Sequence, residues 1–287
     1  MKSDLHHLVA EELAQPVEGQ VLAMAEAIAA RHGAASRAVL FYGSCLREKQ
    51  LDGLMLDFYL IVSDYRAAYD KGWMARANAL IPPNVFPFQH GQLAAKYAVL
   101  SEADFHRLNG PETRNVSVWA RFAQPSRLVW ASDDAARRRA VAAVSRAAPT
   151  LLAAAGRLTG EAPLDWWRRA FSLTYSAELR AERKGRSGSV VDADAARYEL
   201  FSGPAAVAIE PHAKSGGWGR RRIEGKIMSV LRLAKASATY AGGADYIVWK
   251  INRHAGTAFE LKPWQRRHPL LGALSLLPRL LKSGAIR

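Results

Sequence analysis

The sequence predicts an α+β fold: an α/β region to about residue 125, a helical region after it, and a basic, amphipathic C-terminal segment. Three observations predict it. Short apolar runs bounded by turn residues alternate with helical spacing in the first part of the chain. Ala- and Arg-rich sequence of helical character follows from Asp133. From residue 201 to the end there are 15 Lys plus Arg against 4 Asp plus Glu, most of the net charge of +14.

Residues 5–33 set Leu8, Leu13, Val21, Leu22, Met24, Ala25, Ile28 and Ala29 at helical spacing. Pro16 divides this stretch and Gly33 suits a C-cap. Ala38–Tyr42 reads as a buried strand entering a Gly43-Ser44 turn, and Leu54–Val62 as a second strand, interrupted by Asp57. Residues 66–80 read as one helix, broken by Pro82-Pro83-Asn84. Leu93–Leu100 is a third strand with Lys96 inside it, and Ser101 caps a helix that begins at Glu102.

The chain from Asp133 to about Gly160 is helical, and so are residues 164–183, which carry Trp166, Trp167, Phe171 and Tyr175. Gly185–Gly188 is a loop and Asp194–Leu200 a short helix. Residues 203–220, with several Gly and Pro, read as irregular. Basic helices at 221–238 and 243–254 and an amphipathic tail at 268–282 complete the chain. The expected divisions are 1–125, 126–205 and 206–287, the second a helical domain, with a winged-helix-like arrangement as one option.

The single cysteine, Cys45, excludes an internal disulfide and a multi-cysteine zinc site. The N-terminus lacks the apolar run of a secretory signal, and Glu11 and Glu12 argue against a transit peptide. No stretch reaches the roughly 20 uninterrupted apolar residues of a spanning helix. Leu270–Leu281, the nearest, holds Pro278 and Arg279. The expectation is a cytoplasmic protein, soluble or peripheral on the inner face of the cell membrane. The charge asymmetry points to a polyanionic partner. No nucleic-acid reader motif accompanies it, so nucleic acid is not expected.

Asp57 carries the sharpest chemical signal. It lies thirteen residues after Ser44, in a strand otherwise made of Met, Leu, Phe, Tyr, Ile and Val. A carboxylate there is costly unless it is paired or bound to a metal. A glycine turn lets backbone N–H groups approach a triphosphate, and a neighbouring carboxylate can hold magnesium against the same phosphates. Lys96, in a strand of Tyr, Ala, Val and Leu, is the matching cation. An ordinary turn, a surface acid on a one-sided sheet and an edge-strand lysine would also produce this pattern.

The Gly-Ser turn followed by an Asp strand resembles the polymerase-β type of nucleotidyltransferase. Its usual acidic pair is missing, because Met55 and Tyr59 flank Asp57 two residues away. The chain is more similar to the mitochondrial-type phosphatidate cytidylyltransferases, the translocator assembly and maintenance family. Tyr42-Gly43-Ser44 and Met55-Leu56-Asp57-Phe58 carry that resemblance first. Pro82-Pro83-Asn84-Val85, Lys96-Tyr97-Ala98-Val99-Leu100, the stretch Ser117–Pro125, Leu173–Arg180 and Tyr198–Phe201 then resemble family motifs in the same order. Cys45, Ala98 and Ala177 stand where the family has glycine, and Trp73 lacks the histidine of a Trp-His pair.

The resemblance implies a nucleotidyltransferase-type mixed sheet flanked by helices. It also implies magnesium-dependent transfer of CMP from CTP to phosphatidic acid, giving CDP-diacylglycerol and pyrophosphate. Gly43 and Ser44 would cradle the CTP phosphates, Asp57 would bind magnesium and Lys96 would meet phosphate. Asp52 is the candidate second carboxylate. Tyr175, Ser176, Glu178 and Arg180 would bind nucleotide, metal or phosphate. Other readings are transfer to another anionic lipid or a sugar phosphate, or a non-catalytic basic binding protein. Basic amphipathic helices suit an anionic membrane surface, with Arg221, Arg222, Lys226, Trp249, Lys250 and Arg253 as the contacting residues.

Overall fold

A strand as apolar as Leu54–Val62 needs cover on both faces, and the computed structural model supplies it. The structure describes residues 4–47, 51, 53–178, 190–239, 260 and 262–264. Five strands form one mixed sheet: β1 (Ser36–Tyr42), β2 (Met55–Val62), β3 (Asn84–His90), β4 (Leu93–Ser101) and β5 (Ser126–Ala131). Their order is β3-β4-β2-β1-β5. β2 and β4 run parallel, and the other neighbours are antiparallel. The protein is therefore α+β, with helices on both sides of the sheet.

On one face Leu56, Phe58 and Leu60 pack with Val39, Phe41, Tyr97 and Val99 beneath Val21, Met24 and Ile28 of α2 (Gly19–His32). On the other, Tyr59 and Ile61 join Leu40, Ala98 and Leu100 in a larger cluster. That cluster takes in α1 (Leu5–Leu13), α5 (Glu102–Asn109), α6 (Trp119–Phe122) and α7 (Asp134–Ser145). It continues without a break into α8 (Ala147–Ala155), α9 (Pro163–Ala177) and α10 (Ala195–Val207). Burying each Leu or Phe contributes about 1.5–3 kcal/mol. A one-residue slip of β2 would exchange its two faces, so this packing fixes the side from which Asp57 emerges.

In the helical layer, Ala147–Ala154 of α8 is buried throughout. Trp167 packs against Phe171 and Tyr198, with ring centroids 6.0 and 5.0 Å away, and its Nε1 donates to Ser202 Oγ at 2.9 Å. A buried ion pair between Arg197 and Glu12 ties α10 to α1.

Several expectations need correction. Residues 66–80 form two helices, α3 (Tyr65–Ala68) and α4 (Gly72–Leu80). Asp64 caps the first through Arg66 N and Ala67 N, and Tyr69 is extended, its hydroxyl accepting from Asn78 Nδ2 at 3.1 Å. β3 was not among the expected strands; it holds Pro87 and is an edge strand, where a missing N–H is tolerated. β5 carries the sheet to residue 131, past the expected boundary at 125, and pairs with β1. α9 ends at Ala177 rather than 183, with Glu178 extended. α10 runs through Pro204 to Val207 instead of stopping at Leu200. The long basic helix α11 (Trp218–Thr239) begins before residue 221. The expected loop Gly185–Gly188, the helix at 243–254 and the tail at 268–282 lie outside the described residues. Among the described residues, no helix is long and apolar enough to cross a membrane.

α11 lies across the end of α9 and along β3. The crossing depends on Gly225, where an added Cβ would stand 2.1 Å from the backbone oxygen of Ala177. Helix propensity favours Ala over Gly by about 1 kcal/mol, whereas overpacking against rigid backbone costs about 1–3 kcal/mol. Gly225→Ala is expected to lower the urea midpoint of the chain, by about 1–2 kcal/mol in stability. A midpoint raised by the substitution would show that α11 does not dock here.

Candidate active site

Strand register assembles a polar row across the apolar sheet. Asp57 of β2 is paired with Tyr42 of β1 on one side and Lys96 of β4 on the other. Lys96 in turn stands opposite Pro87 of β3, and Tyr42 opposite Ser126 of β5. Lys96 Nζ lies 3.0 Å from Asp57 Oδ1, with about a quarter of each side chain exposed, 26% and 24%. β1 ends directly above this pair. Gly43 has φ of 97°, and a methyl group on it would come 3.4 Å from Asp57 Oδ2. A side chain would be strained there, so glycine lets the turn close over the carboxylate. Ser44, exposed, opens a 3-10 turn through Arg47. Cys45 is buried with its thiol toward Met55 O at 3.7 Å.

Arg121 of α6 faces the same row. Its guanidinium lies 5.2 Å from the Tyr42 ring centroid and 6.0 Å from that of Tyr59. Its Nη1 donates to Tyr59 Oη at 3.2 Å and to Ser117 O at 3.0 Å. Burial works against the Arg121 charge, but Tyr42, Tyr59, Glu178 and Asp57 outweigh it and hold the guanidinium well above its usual range. Burial, reinforced by the Asp57 carboxylate, pushes the Tyr42 phenol well up, so it stays protonated.

α11 adds two more cations. Arg232 Nε donates to Pro82 O at 2.7 Å and Nη1 to Ser117 Oγ at 2.8 Å. Lys235 Nζ donates to Pro83 O at 2.9 Å and to Ile81 O. The Ile81–Pro83 turn thus presents three carbonyls to two cations of one helix. Burial lowers the Arg232 guanidinium, with Glu178 and Tyr59 acting in the opposite sense. Burial and the Arg232 charge push the Lys235 ammonium down to about 7.

The expected site residues divide accordingly. Gly43, Ser44, Asp57 and Lys96 converge at one end of β1, β2 and β4. Glu178 joins them through its electrostatic contact with Arg121 and Arg232. Tyr175 is half-buried against the main core. Ser176 is exposed and its hydroxyl donates back to Leu173 O at 2.7 Å, so it serves its own helix. Asp52, Arg180, Trp249, Lys250 and Arg253 lie outside the described residues.

Arg221, expected at a membrane, is instead buried. Its guanidinium donates to the carbonyls of Gly216, Thr113 and Arg114 and sits 5.9 and 5.7 Å from the Trp119 and Trp218 rings. Arg222 and Lys226 are exposed. Arg121, Arg232, Lys235, Tyr42 and Tyr59 were not expected as site residues. The signal for the α11 cations was spacing: Arg221, Gly225, Arg232 and Lys235 fall on one helix face at intervals of four, seven and three.

No protein-family model matches this chain, and no curated protein matches it. The site must be weighed on its own chemistry. Magnesium is commonly held by one or two carboxylates together with substrate phosphates. Asp57 fits that pattern, with Oδ2 at the glycine turn and Oδ1 on Lys96. Elsewhere, Glu112, Glu210 and His212 are the one triad among the described residues with their ligand atoms within 4.8 Å of one another. Arg146 already neutralises both carboxylates there, at 2.5 and 2.8 Å.

The depressed Lys235 ammonium has a consequence for stability. An unfolded lysine titrates near about 10.4, so between pH 7 and 10 the unfolded chain holds a proton that the folded one lacks. Stability from this residue therefore rises with pH across that window. Urea unfolding at pH 7 and pH 9 should show Lys235→Met with a smaller rise between the two than the parent chain. An equal rise would place the titration on another group.

Proposed function

We propose that this chain is a magnesium-dependent nucleotidyltransferase that transfers CMP from CTP to phosphatidic acid. The observation that carries the reading is the Asp57–Lys96 pair set beneath the Gly43 turn inside an otherwise apolar sheet. The choice of CTP and phosphatidic acid within this reaction class rests on the ordered resemblance over residues 39–201.

The pair reads as two groups waiting for their ligands. A bound divalent ion would supply charge neutralisation for the triphosphate, and Asp57 is the residue to hold it. Lys96, released from Asp57, would then be a cation for a phosphate oxygen. Gly43 and Ser44 offer backbone N–H groups and a hydroxyl at the same turn. A phosphate oxygen of phosphatidic acid attacks the α-phosphorus of CTP. The bond from that phosphorus to the bridging oxygen of the β-phosphate breaks, and pyrophosphate leaves. The attacking phosphate is already an anion, so the site needs positioning and cations rather than a general base. Lys96, Arg121 and Arg232 supply the cations, and Lys235 adds one when it is protonated.

α11 also suits a membrane surface. Ile223, Ile227 and Leu231 repeat every four residues and are exposed at 64, 54 and 40%. Arg222 and Lys226 flank them, and each such cation contributes about 1 kcal/mol at an anionic surface. The helix that sends Arg232 and Lys235 inward thus turns an apolar stripe outward.

Purified chain incubated with labelled CTP, magnesium and phosphatidic acid vesicles should form labelled CDP-lipid. Asp57→Asn should lower that rate by a factor on the order of 10²–10³ with an unchanged circular dichroism spectrum. A labelled product from another acceptor, or equal rates for the two proteins, would overturn the reading. In flotation with vesicles containing phosphatidic acid, Ile227→Asp should lower the bound fraction severalfold at an unchanged melting midpoint. Equal flotation would remove α11 from the membrane contact.

A further inference from the structure

Two arginines are held beside each other by one serine, and neither uses its full set of donors. Arg121 Nη1 donates to the backbone oxygen of Ser117, and Arg232 Nη1 donates to the hydroxyl of the same residue. Among the described residues, Arg121 makes its hydrogen bonds through Nη1 alone. Arg232 Nη2 is buried with no hydrogen-bond partner. An unsatisfied buried donor on a charged group is expensive, and two guanidinium groups side by side repel each other. The arrangement is one that an anion between them would relieve.

The surrounding charge says what kind of anion. Among the described residues, Arg121 and Arg232 share the carboxylate Glu178, while Asp57 is held by Lys96. Two guanidinium groups on one carboxylate leave positive charge that suits a phosphomonoester, which carries about −1.5 to −2 near neutral pH. Guanidinium groups suit such an oxyanion because their paired N–H donors match two of its oxygens at once.

The surroundings also separate this place from the glycine turn. Tyr59 and Tyr42 stand between Arg121 and the Asp57–Lys96 pair. Arg232 comes from α11, anchored on the Ile81–Pro83 turn. The turn and Asp57 are placed to hold one polyphosphate, and the two arginines a second, distinct phosphate.

We propose that Arg121 and Arg232, bridged by Ser117, form a second phosphate subsite that takes the terminal phosphomonoester of the acceptor, while the Gly43 turn takes the nucleotide. The assignment to the acceptor rests on the transferase reading above; the binding of a phosphomonoester does not. Lys235, one turn beyond Arg232, holds the same Ile81–Pro83 turn.

The test uses full-length chain, with inorganic phosphate and glycerol 3-phosphate as soluble probes and phosphatidic acid vesicles as the lipid probe. By calorimetry, both soluble probes should bind the parent chain and Asp57→Asn with similar affinity, and Arg232→Gln at least tenfold more weakly. Arg232→Lys should recover part of the loss, which separates the lost charge from a folding defect. In the transfer assay, Arg232→Gln should raise the KM for phosphatidic acid tenfold or more and leave the KM for CTP within about threefold.

Phosphate binding lost in Arg232→Gln from a chain that transfers nothing would keep the subsite and dismiss the transferase reading. Phosphate that does not bind the parent chain, or binds Arg232→Gln equally well, would overturn the subsite whatever the activity. Inhibition by phosphate that competes with CTP rather than with the acceptor would overturn it as well.

Discussion

A carboxylate in the middle of a doubly covered sheet is the constraint from which the rest of the site follows. The apolar faces of β2 lock its register, so Asp57 emerges only on the side of α6. An unpaired carboxylate there would cost several kcal/mol. Lys96, its cross-strand neighbour, offsets that cost at 3.0 Å. The attraction is on the order of a few kcal/mol before screening by the solvent that reaches a quarter of each side chain. The pair is partly open to solvent, with about a quarter of each side chain exposed.

The second organising feature is α11. Its close crossing over Ala177 at Gly225 brings Arg232 and Lys235 onto the carbonyls of Ile81, Pro82 and Pro83. The same contact sets Arg232 beside Ser117 and so beside Arg121. Helix, proline turn and α6 therefore form one unit, in which the backbone crossing at Gly225 helps to place two basic side chains. Ile223, Ile227 and Leu231 on the outer side of this helix are exposed.

Much of this was legible in the sequence, and the misses have physical causes. The Gly43 turn, β2 and Lys96 were readable because their signals are local: a glycine after an apolar run, and single charges inside apolar strands. β3 was hidden by Pro87, which only its edge position permits. β5, Ser-Arg-Leu-Val-Trp-Ala, was hidden because it too lies at an edge and needs less apolar character. Arg221 was misread, and Arg232 and Lys235 were missed, because basic residues on a surface helix ordinarily face water. Here they meet backbone carbonyls of distant segments, a pairing that only the fold reveals. Glu178 was expected at the site only through the family resemblance, since it lies at the end of α9, more than a hundred residues from Asp57 in the chain.

The central claim is that Asp57 sits at the turn to hold a divalent ion against a triphosphate. Paramagnetic relaxation of water protons, with manganese as the ion and CTP as the nucleotide, tests it directly. The account predicts a ternary enhancement in the parent chain that disappears in Asp57→Ala while the fold is retained. An enhancement of equal size and affinity in the two proteins would contradict it.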